Sequence, residues 1–274
     1  MNQADLELAL ADLSLGVIRY YTRLGSTNDE AARLAEEGAP DLTLVVTEEQ
    51  TSGRGRGGRR WYTPAGTGLA FSLILRRLDE GVITPRLTAL GALAVCSALQ
   101  NRFGLEAQIK WPNDVLVNLQ KIAGVLVEAQ WEGECLQMAI LGIGINVSPE
   151  SIEAASSQPE GLSFPAICLE TACGRFVEHA ELLRAVLEEL IYWRTRLNTE
   201  EFFQEWERLL AFRGEWVRVF AEPRAEEAQP TGRKTDSTQE GQVLGLAPDG
   251  SLRLLVGTGE IVLVQVGDLH LRMV

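Results

Sequence analysis

The residues best equipped for chemistry at the closest spacing lie at 51–61, TSGRGRGGRRW, where four arginines and four glycines fill positions 53–60. Glycine lets a backbone take left-handed conformations and come close to a ligand. Arginine offers a planar fork of donors matched to carboxylate or phosphate. The chemistry such a loop can do is to hold an anion. The whole chain carries 38 acidic against 25 basic residues, a formal net charge of -13, so the basic patch is local. A polymer-binding surface shows a basic face over a whole domain; a local patch suits a small anionic ligand.

Further candidates gather at strand ends. Lys110 precedes Trp111-Pro112-Asn113-Asp114, Lys121 opens the run KIAGVLVE ending at Glu128, and Gly142, Gly144 and Asn146 punctuate an otherwise apolar run. Taken singly, a strand-end lysine is ordinarily solvated and a Pro-Asn-Asp sequence is ordinarily a turn. Glycines inside a strand mark close approach by a ligand or another backbone. Together, Arg54, Arg56, Lys110 and Lys121 supply enough positive charge to neutralise a nucleotide phosphate and a carboxylate. Positions 53–58 also satisfy G-x-G-x-x-G. The dinucleotide fingerprint needs a helix directly after the glycines, whereas residues 61–75 read as turn and strand. Arginine-glycine segments that bind nucleic acid lie in low-complexity tails; this one joins two apolar strands.

The elements that must position these groups follow from periodicity and punctuation. Leucines at 6, 8, 10, 13 and 15 among acids give at most a short capping helix or arm, followed by a strand at VIRYYTRL. The stretch GSTNDEAARLAEEG reads as a helix, with Ser26 or Thr27 as N-cap, Asp29 and Glu30 in the first turn and Gly38 at its close. LTLVVTEEQ at 42–50 is a buried strand entering the arginine loop, and GLAFSLILRR at 68–77 is the strand leaving it. Residues 84–104 form a largely buried helix with Pro85 near its start and Gly104 beyond its end. QIKWPNDVLVN, KIAGVLVEAQWEG and CLQMAILGIGINV make an antiparallel meander, 149–166 is a loop, and helices cover about 178–197 and 200–212. After Gly214, short strands separated by Pro-Asp-Gly and Gly-Thr-Gly turns form a small β-barrel of about 60 residues. Within it, 224–241 is a long polar hairpin loop.

With 274 residues, 46% of them hydrophobic, the chain can bury a sizeable core. No apolar run is long enough to span a bilayer, and the acidic start lacks the regions of a secretory signal, so cytoplasm is the expected location. Cys96, Cys135, Cys168 and Cys173 have no paired spacing and the histidines are His179 and His270. No zinc site or disulfide framework is indicated, and the cysteines read as buried thiols.

In sequence and in order, GSTN at 25–28, EQTSGRGRGGRRW at 49–61, KWPNDVLV at 110–117, KIAGVLVE at 121–128 and GIGINV at 142–147 resemble the biotin protein ligases. The resemblance runs from about residue 20 to the terminal GDLHLR. Lipoate ligases share the fold but carry an Arg-Arg-x-Ser-Gly-Gly-Gly signature that is missing here. The resemblance implies an α/β (α+β) catalytic domain over 20–213, class II synthetase-like, with a mixed, mainly antiparallel sheet and packed helices. A C-terminal SH3-like β-barrel over 214–274 completes it. It implies ATP and biotin as substrates with Mg²⁺, formation of biotinyl-5'-AMP, and transfer of biotin to one lysine of a biotin carboxyl carrier domain. By motif, Ser26, Thr27, Asn28, Gln50, Gly53, Arg54, Lys121 and Gly124 would surround biotin, with Ser26 and Gln50 near the ureido ring. Arg54, Arg56, Trp61, Lys110, Asn113, Lys121 and Asn146 would hold ATP and the adenylate. Lys121, Arg54 and Arg56 would act in the chemical step, and Asp114 is a candidate metal ligand. Bifunctional relatives carry an N-terminal helix-turn-helix, for which the roughly 19 residues before the first matching strand are too few. The expectation is therefore a monofunctional ligase without specific DNA binding or a membrane partner, with a homodimer one assembly open to it. The family's adenine-covering tryptophan has no counterpart in 149–166, which contains no Trp.

Overall fold

The computed structural model describes residues 2–76, 78, 82–133, 135–156, 164–220, 238–265 and 268–271. Its larger sheet is built from β1 (Ile18–Leu24), β2 (Leu44–Arg54), β3 (Arg60–Thr63), β4 (Gly68–Leu75), β5 (Ala107–Lys110), β6 (Asp114–Val117), β7 (Gln120–Glu132) and β8 (Cys135–Asn146). The order is β1-β2-β4-β8-β7-β6-β5, with β3 paired to β2. Only β1 and β2 run parallel, because helix α2 (Thr27–Glu36) carries the chain back between them. All other pairings are antiparallel, and the mixed, mainly antiparallel sheet expected from the sequence is what forms.

Strand alternation gives the sheet two buried faces. Val45 and Ile74 pack with Ala31 and Ala35 of α2 in one cluster. Their neighbours Leu44, Val46, Leu73 and Leu75 point the other way, into the main core with α3 (Thr84–Phe103) and α6 (His179–Arg194). Helix α3 is apolar around most of its circumference and ends on Gly104 at φ 67°, in the left-handed region expected of a closing glycine. At the N-terminus, α1 (Gln3–Ala9) buries Leu6. Below it Leu10 is buried, and Arg184 of α6 donates to Asp12 at 2.7 Å and 2.6 Å, pinning the segment.

Several elements differ from the sequence expectation. The segment 149–166 is not wholly a loop: α4 (Pro149–Ser156) forms within it, opened by Pro149 and with Glu150 in the first turn, both favourable at a helix start. Residues 157–163 lie outside the described residues. A short helix α5 (Leu169–Cys173) was not anticipated. Helix α6 ends at Arg194, short of 197. Helix α7 (Glu200–Arg208), capped by the Thr199 hydroxyl, stops short of 212. Its continuation is diverted into β-type pairing: the Ile109 N–H donates to Leu209 O at 2.7 Å, and the Ala211 N–H to Ile109 O at 2.9 Å. An open edge of β5 competes with the last helical turn and wins. Cys96 and Cys168 are buried, but Cys173 is only half-buried.

The second sheet is antiparallel, in the order β12-β11-β10-β9-β13. Its strands are β9 (Trp216–Phe220), β10 (Thr238–Leu246), β11 (Leu252–Val256), β12 (Ile261–Val264) and β13 (Asp268–Leu271). Of the polar stretch 224–241, residues 224–237 lie outside the described residues and 238–241 belong to β10. This sheet shares the main core, since Val217, Val243, Leu252 and Leu254 join the cluster that contains Phe202 and Trp206. Trp111 Nε1 donates to Gly250 O at 3.0 Å, tying the turn after β5 to the Pro-Asp-Gly turn of the second sheet.

Candidate active site

One cavity of about 240 Å³ opens between the N-terminus of α2, the arginine loop and strands β7 and β8. Residues singled out in the sequence line it: Ser26, Thr27, Asn28, Gln50, Arg54, Arg56, Trp61, Asn113, Asp114, Lys121, Gly124, Gly142, Gly144 and Asn146. Gly53 and Lys110 stand just behind the wall. A Cβ at 53 would collide with Gln50 Nε2 and Trp61 O, so only glycine lets β2 pass there. Lys110 is 2% exposed and reaches Asp114 from below.

One end of the cavity is uncharged and rich in hydrogen bonds. Ser26 caps α2, its hydroxyl accepting from the Asp29 N–H at 3.4 Å. The Gln50 side-chain oxygen accepts from the Thr27 backbone N–H at 2.9 Å and lies 3.1 Å from the Thr27 hydroxyl. Ser72 Oγ, fully buried in β4, lies 2.8 Å from Thr27 Oγ1 and 2.6 Å from Asn28 Oδ1. Asn28 Nδ2 donates to Glu128 at 2.7 Å. The ends of α2 and β2 thus form a polar cluster in which Ser26, Thr27, Asn28 and Gln50 are all at most 6% exposed.

The other end is cationic. Lys121 Nζ lies 2.6 Å from Asp114 Oδ1 and Lys110 Nζ lies 3.5 Å from Asp114 Oδ2, so one buried carboxylate is shared by two ammonium groups. Lys121 Nζ also lies 5.4 Å from the centroid of the Trp61 ring, a cation–π contact. Trp61 lies against the glycines of the adjoining strands. A Cβ at Gly144 would collide with its indole, and one at Gly124 would stand 3.2 Å from the ring and 3.4 Å from Lys121 Nζ. Gly142 plays the same part for Asn28, whose amide occupies the space a Cβ would take. The close approach signalled by these glycines is therefore made by side chains crossing the sheet.

Arg54 bridges the two ends, donating to Asp29 at 2.5 Å and to both oxygens of Glu128 at 2.8 Å and 2.9 Å. Hydrogen bonding to Asp29, then to Glu128, raises its pKa further. All three side chains are 41–60% exposed, so these pairs are screened and exchangeable for a ligand's anion. The loop itself turns through Gly57 and Gly58 at φ 63° and 75°. Asn113 and Asn146 serve the walls: Asn113 Nδ2 donates to Val125 O at 2.9 Å and Asn146 Nδ2 to Ile167 O at 3.3 Å.

Sequence reasoning missed Ser72, Glu128 and Phe164. Ser72 had a legible signal, a lone hydroxyl in the apolar run GLAFSLIL, since a polar group in a fully buried strand needs a partner. Glu128 lies inside β7, and no local pattern sets it apart. Phe164 lines the cavity and sits 5.1 Å from Lys110 Nζ, and the bridge between Lys121 and Ala166 holds its segment against β7. No local pattern marks it.

The cavity sets a cluster of cationic side chains beside a neutral hydrogen-bonding pocket, on a mixed sheet flanked by helices. Residues 20–146 match the model of the biotin/lipoate A/B protein ligase family. The chain is 32% identical over 260 residues to the biotin–[acetyl-CoA-carboxylase] ligase of Mycobacterium tuberculosis, covering 90% of this chain and 86% of that one. It is 39% identical over 188 residues to the bifunctional ligase/repressor BirA of Bacillus subtilis, covering 68% of this chain and 57% of that protein's length. The biotin protein ligase of Aquifex aeolicus in complex with biotin and ATP is similar with a TM-score of 0.73 at 28% identity, over 94% of this chain and 99% of that one. The chain belongs to the biotin/lipoate A/B protein ligase family.

Proposed function

We propose that this protein activates biotin with ATP as biotinyl-5'-AMP and transfers it to a lysine of a biotin carboxyl carrier domain. The observation that carries the reading is the two-ended cavity. A neutral pocket of Ser26, Thr27 and Gln50 lies at one end, and Arg54, Arg56 and Lys121 lie at the other. Biotin has the matching ends: a ureido ring with N–H and C=O groups, and a carboxylate. Lipoate has the carboxylate, but its dithiolane ring cannot answer a buried cluster of hydrogen-bonding groups, and leaving such groups unanswered is costly.

In the first half-reaction the biotin carboxylate oxygen attacks the α-phosphorus of ATP and pyrophosphate departs. Both reactants are anionic, so cations must offset their repulsion and then the charge gathering on phosphorus and leaving group. Lys121, held by Asp114 and Trp61, is placed at the carboxylate, while Arg54 and Arg56 close over it and the phosphates. Phe164 offers a face for the adenine, and Asn113 and Asn146 line the same side. In the second half-reaction the carrier amine attacks the acyl carbon and AMP leaves. Magnesium fits only as an ion that travels with the ATP phosphates, which is its usual mode. Among the described residues no three acidic, His or Cys groups gather to hold a metal, and Asp114 is already shared by two lysines. Asp114 is accordingly assigned to positioning Lys121.

The proposal also treats 20–213 as the catalytic unit and the sheet from Trp216 onward as a C-terminal domain. A cytoplasmic enzyme acting on a carrier protein fits a chain in which no described helix is long and apolar enough to cross a membrane. The test is transfer: with biotin, MgATP and a purified carrier domain, the carrier should gain one biotin on one lysine. Excess lipoate should compete poorly. Modification by lipoate in preference to biotin would overturn the substrate assignment.

A further inference from the structure

Resting on the biotin reading above, we infer that Glu128, which lies outside the cavity wall, is a specificity-determining positioning residue that fixes the donor and acceptor pattern of the ring-binding end. A carboxylate only accepts, so the Asn28 group 2.7 Å from Glu128 Oε2 is the NH₂ and its carbonyl faces the other way, 2.6 Å from Ser72 Oγ. Ser72 has one proton, and Asn28 Oδ1 takes it. The Thr27 hydroxyl, 2.8 Å from Ser72 Oγ and 3.1 Å from Gln50 Oε1, then has an acceptor on both sides, and its single proton serves those two. Thr27 Oγ1 receives nothing from Ser72 and keeps its lone pairs for a ligand N–H.

The neighbouring amide is fixed independently. Gln50 Oε1 accepts the Thr27 backbone N–H at 2.9 Å, which turns Nε2 to the opposite side, and Gly53 leaves room for it because a Cβ there would collide with that nitrogen. The pocket thereby presents acceptor lone pairs at Thr27, the complement of the N–H groups of a cyclic urea. Gly142 makes the arrangement sterically possible, since any Cβ at that position would displace the Asn28 amide. Arg54, bound to both oxygens of Glu128, keeps the carboxylate oriented.

Glu128→Gln removes the obligatory acceptor. Asn28 is free to flip, its NH₂ then faces Ser72, the Ser72 proton turns to Thr27, and the Thr27 lone pair is filled from behind. Asn28→Asp in the same chain restores the pattern, because the new carboxylate accepts from the amide NH₂ introduced at position 128 with one oxygen and from Ser72 with the other. The experiment is calorimetric titration of biotin, without ATP, into wild type, E128Q and the N28D/E128Q double variant, with thermal unfolding as a check on folding. The expected result is a loss of biotin affinity of about tenfold or more for E128Q, the scale of one mispaired buried hydrogen bond. The double variant should recover most of it. Equal affinity of folded E128Q and wild type, or an E128Q defect that the double variant leaves unchanged, overturns the inference. If wild type itself fails to bind biotin, the functional reading falls instead.

Discussion

Replacing Lys121 by Ala takes away one positive charge from the cationic end with little disturbance around it. Asp114 keeps a partner, because Lys110 Nζ remains 3.5 Å from its other oxygen, and Trp61 stays fixed over Gly144. Stability should therefore fall by no more than about 1–2 kcal/mol, the ordinary range for losing a half-buried ion pair. The rate is another matter. Two unit charges about 4 Å apart at an effective dielectric near 20 interact by about 4 kcal/mol. That is an upper bound of roughly a thousandfold in rate, at 1.36 kcal/mol per decade. Arg54 and Arg56 remain and take over part of the charge, so adenylation should slow by about two orders of magnitude. Lys121→Gln, which keeps length and donors but no charge, should recover little. Biotin binding should weaken less than the rate falls, because the charge acts mainly as the phosphorus centre forms. The assay is single-turnover adenylate formation by the folded variant saturated with biotin and MgATP. A rate within about threefold of wild type would refute the reasoning and return Lys121 to a structural partner of Asp114.

Arg56→Gly removes a phosphate-pairing fork and loosens the loop; biotinyl-AMP should still form but escape faster, read as free adenylate and as biotin on bystander lysines. Phe164→Ala should raise the KM for ATP several-fold with little change in biotin affinity, as loss of a stacking face does, measured by steady-state kinetics with each substrate varied. Gly144→Ala forces a Cβ into the Trp61 indole and should cost about 1–3 kcal/mol in thermal or denaturant unfolding, as overpacking does, with adenylation impaired beyond that loss. The acid limb of stability should report Asp12, whose carboxyl is lowered to about 2 by its hydrogen bonds from Arg184. The folded value lies below the ordinary value near 3.9, so this contribution is fully present above that value and is lost as pH falls toward about 2. Asp12→Asn should flatten the Tm profile between those limits and leave it unchanged in shape near neutrality.

The fold was legible wherever pattern and punctuation agreed. Residues 84–104 carry an apolar run with Pro85 at one end and Gly104 at the other, and α3 has those bounds to within a residue. The meander from Gln108 to Val147 announced itself by β-branched runs separated by turn residues. Tertiary competition explains the misses. Leu209 and Ala211 carry helical periodicity but are pulled away by the free edge of β5. The helix at 149–156 has too short an apolar stripe to stand out from a polar stretch. In the site, the arginine loop, Lys121, Asn113 and the α2 cap were readable because glycine, proline and N-cap residues mark unusual backbone. Glu128 was not, since its partners Asn28 and Arg54 are 100 and 74 residues away in sequence. Phe164 was hidden for the same reason, its place being set by a bridge from Lys121 to Ala166.

The central claim, that one cavity joins a ureido-binding pocket to a cationic centre for acyl activation, is tested most directly by incubating the protein with biotin and MgATP and no carrier. The products are then identified by mass spectrometry. The expected product is a protein-bound species with the mass of biotinyl-5'-AMP, formed in step with an equal amount of pyrophosphate, with little or no adenylate when lipoate replaces biotin. Absence of biotinyl-AMP with folded, biotin-saturated protein, or a lipoyl adenylate formed at the same rate, would contradict it.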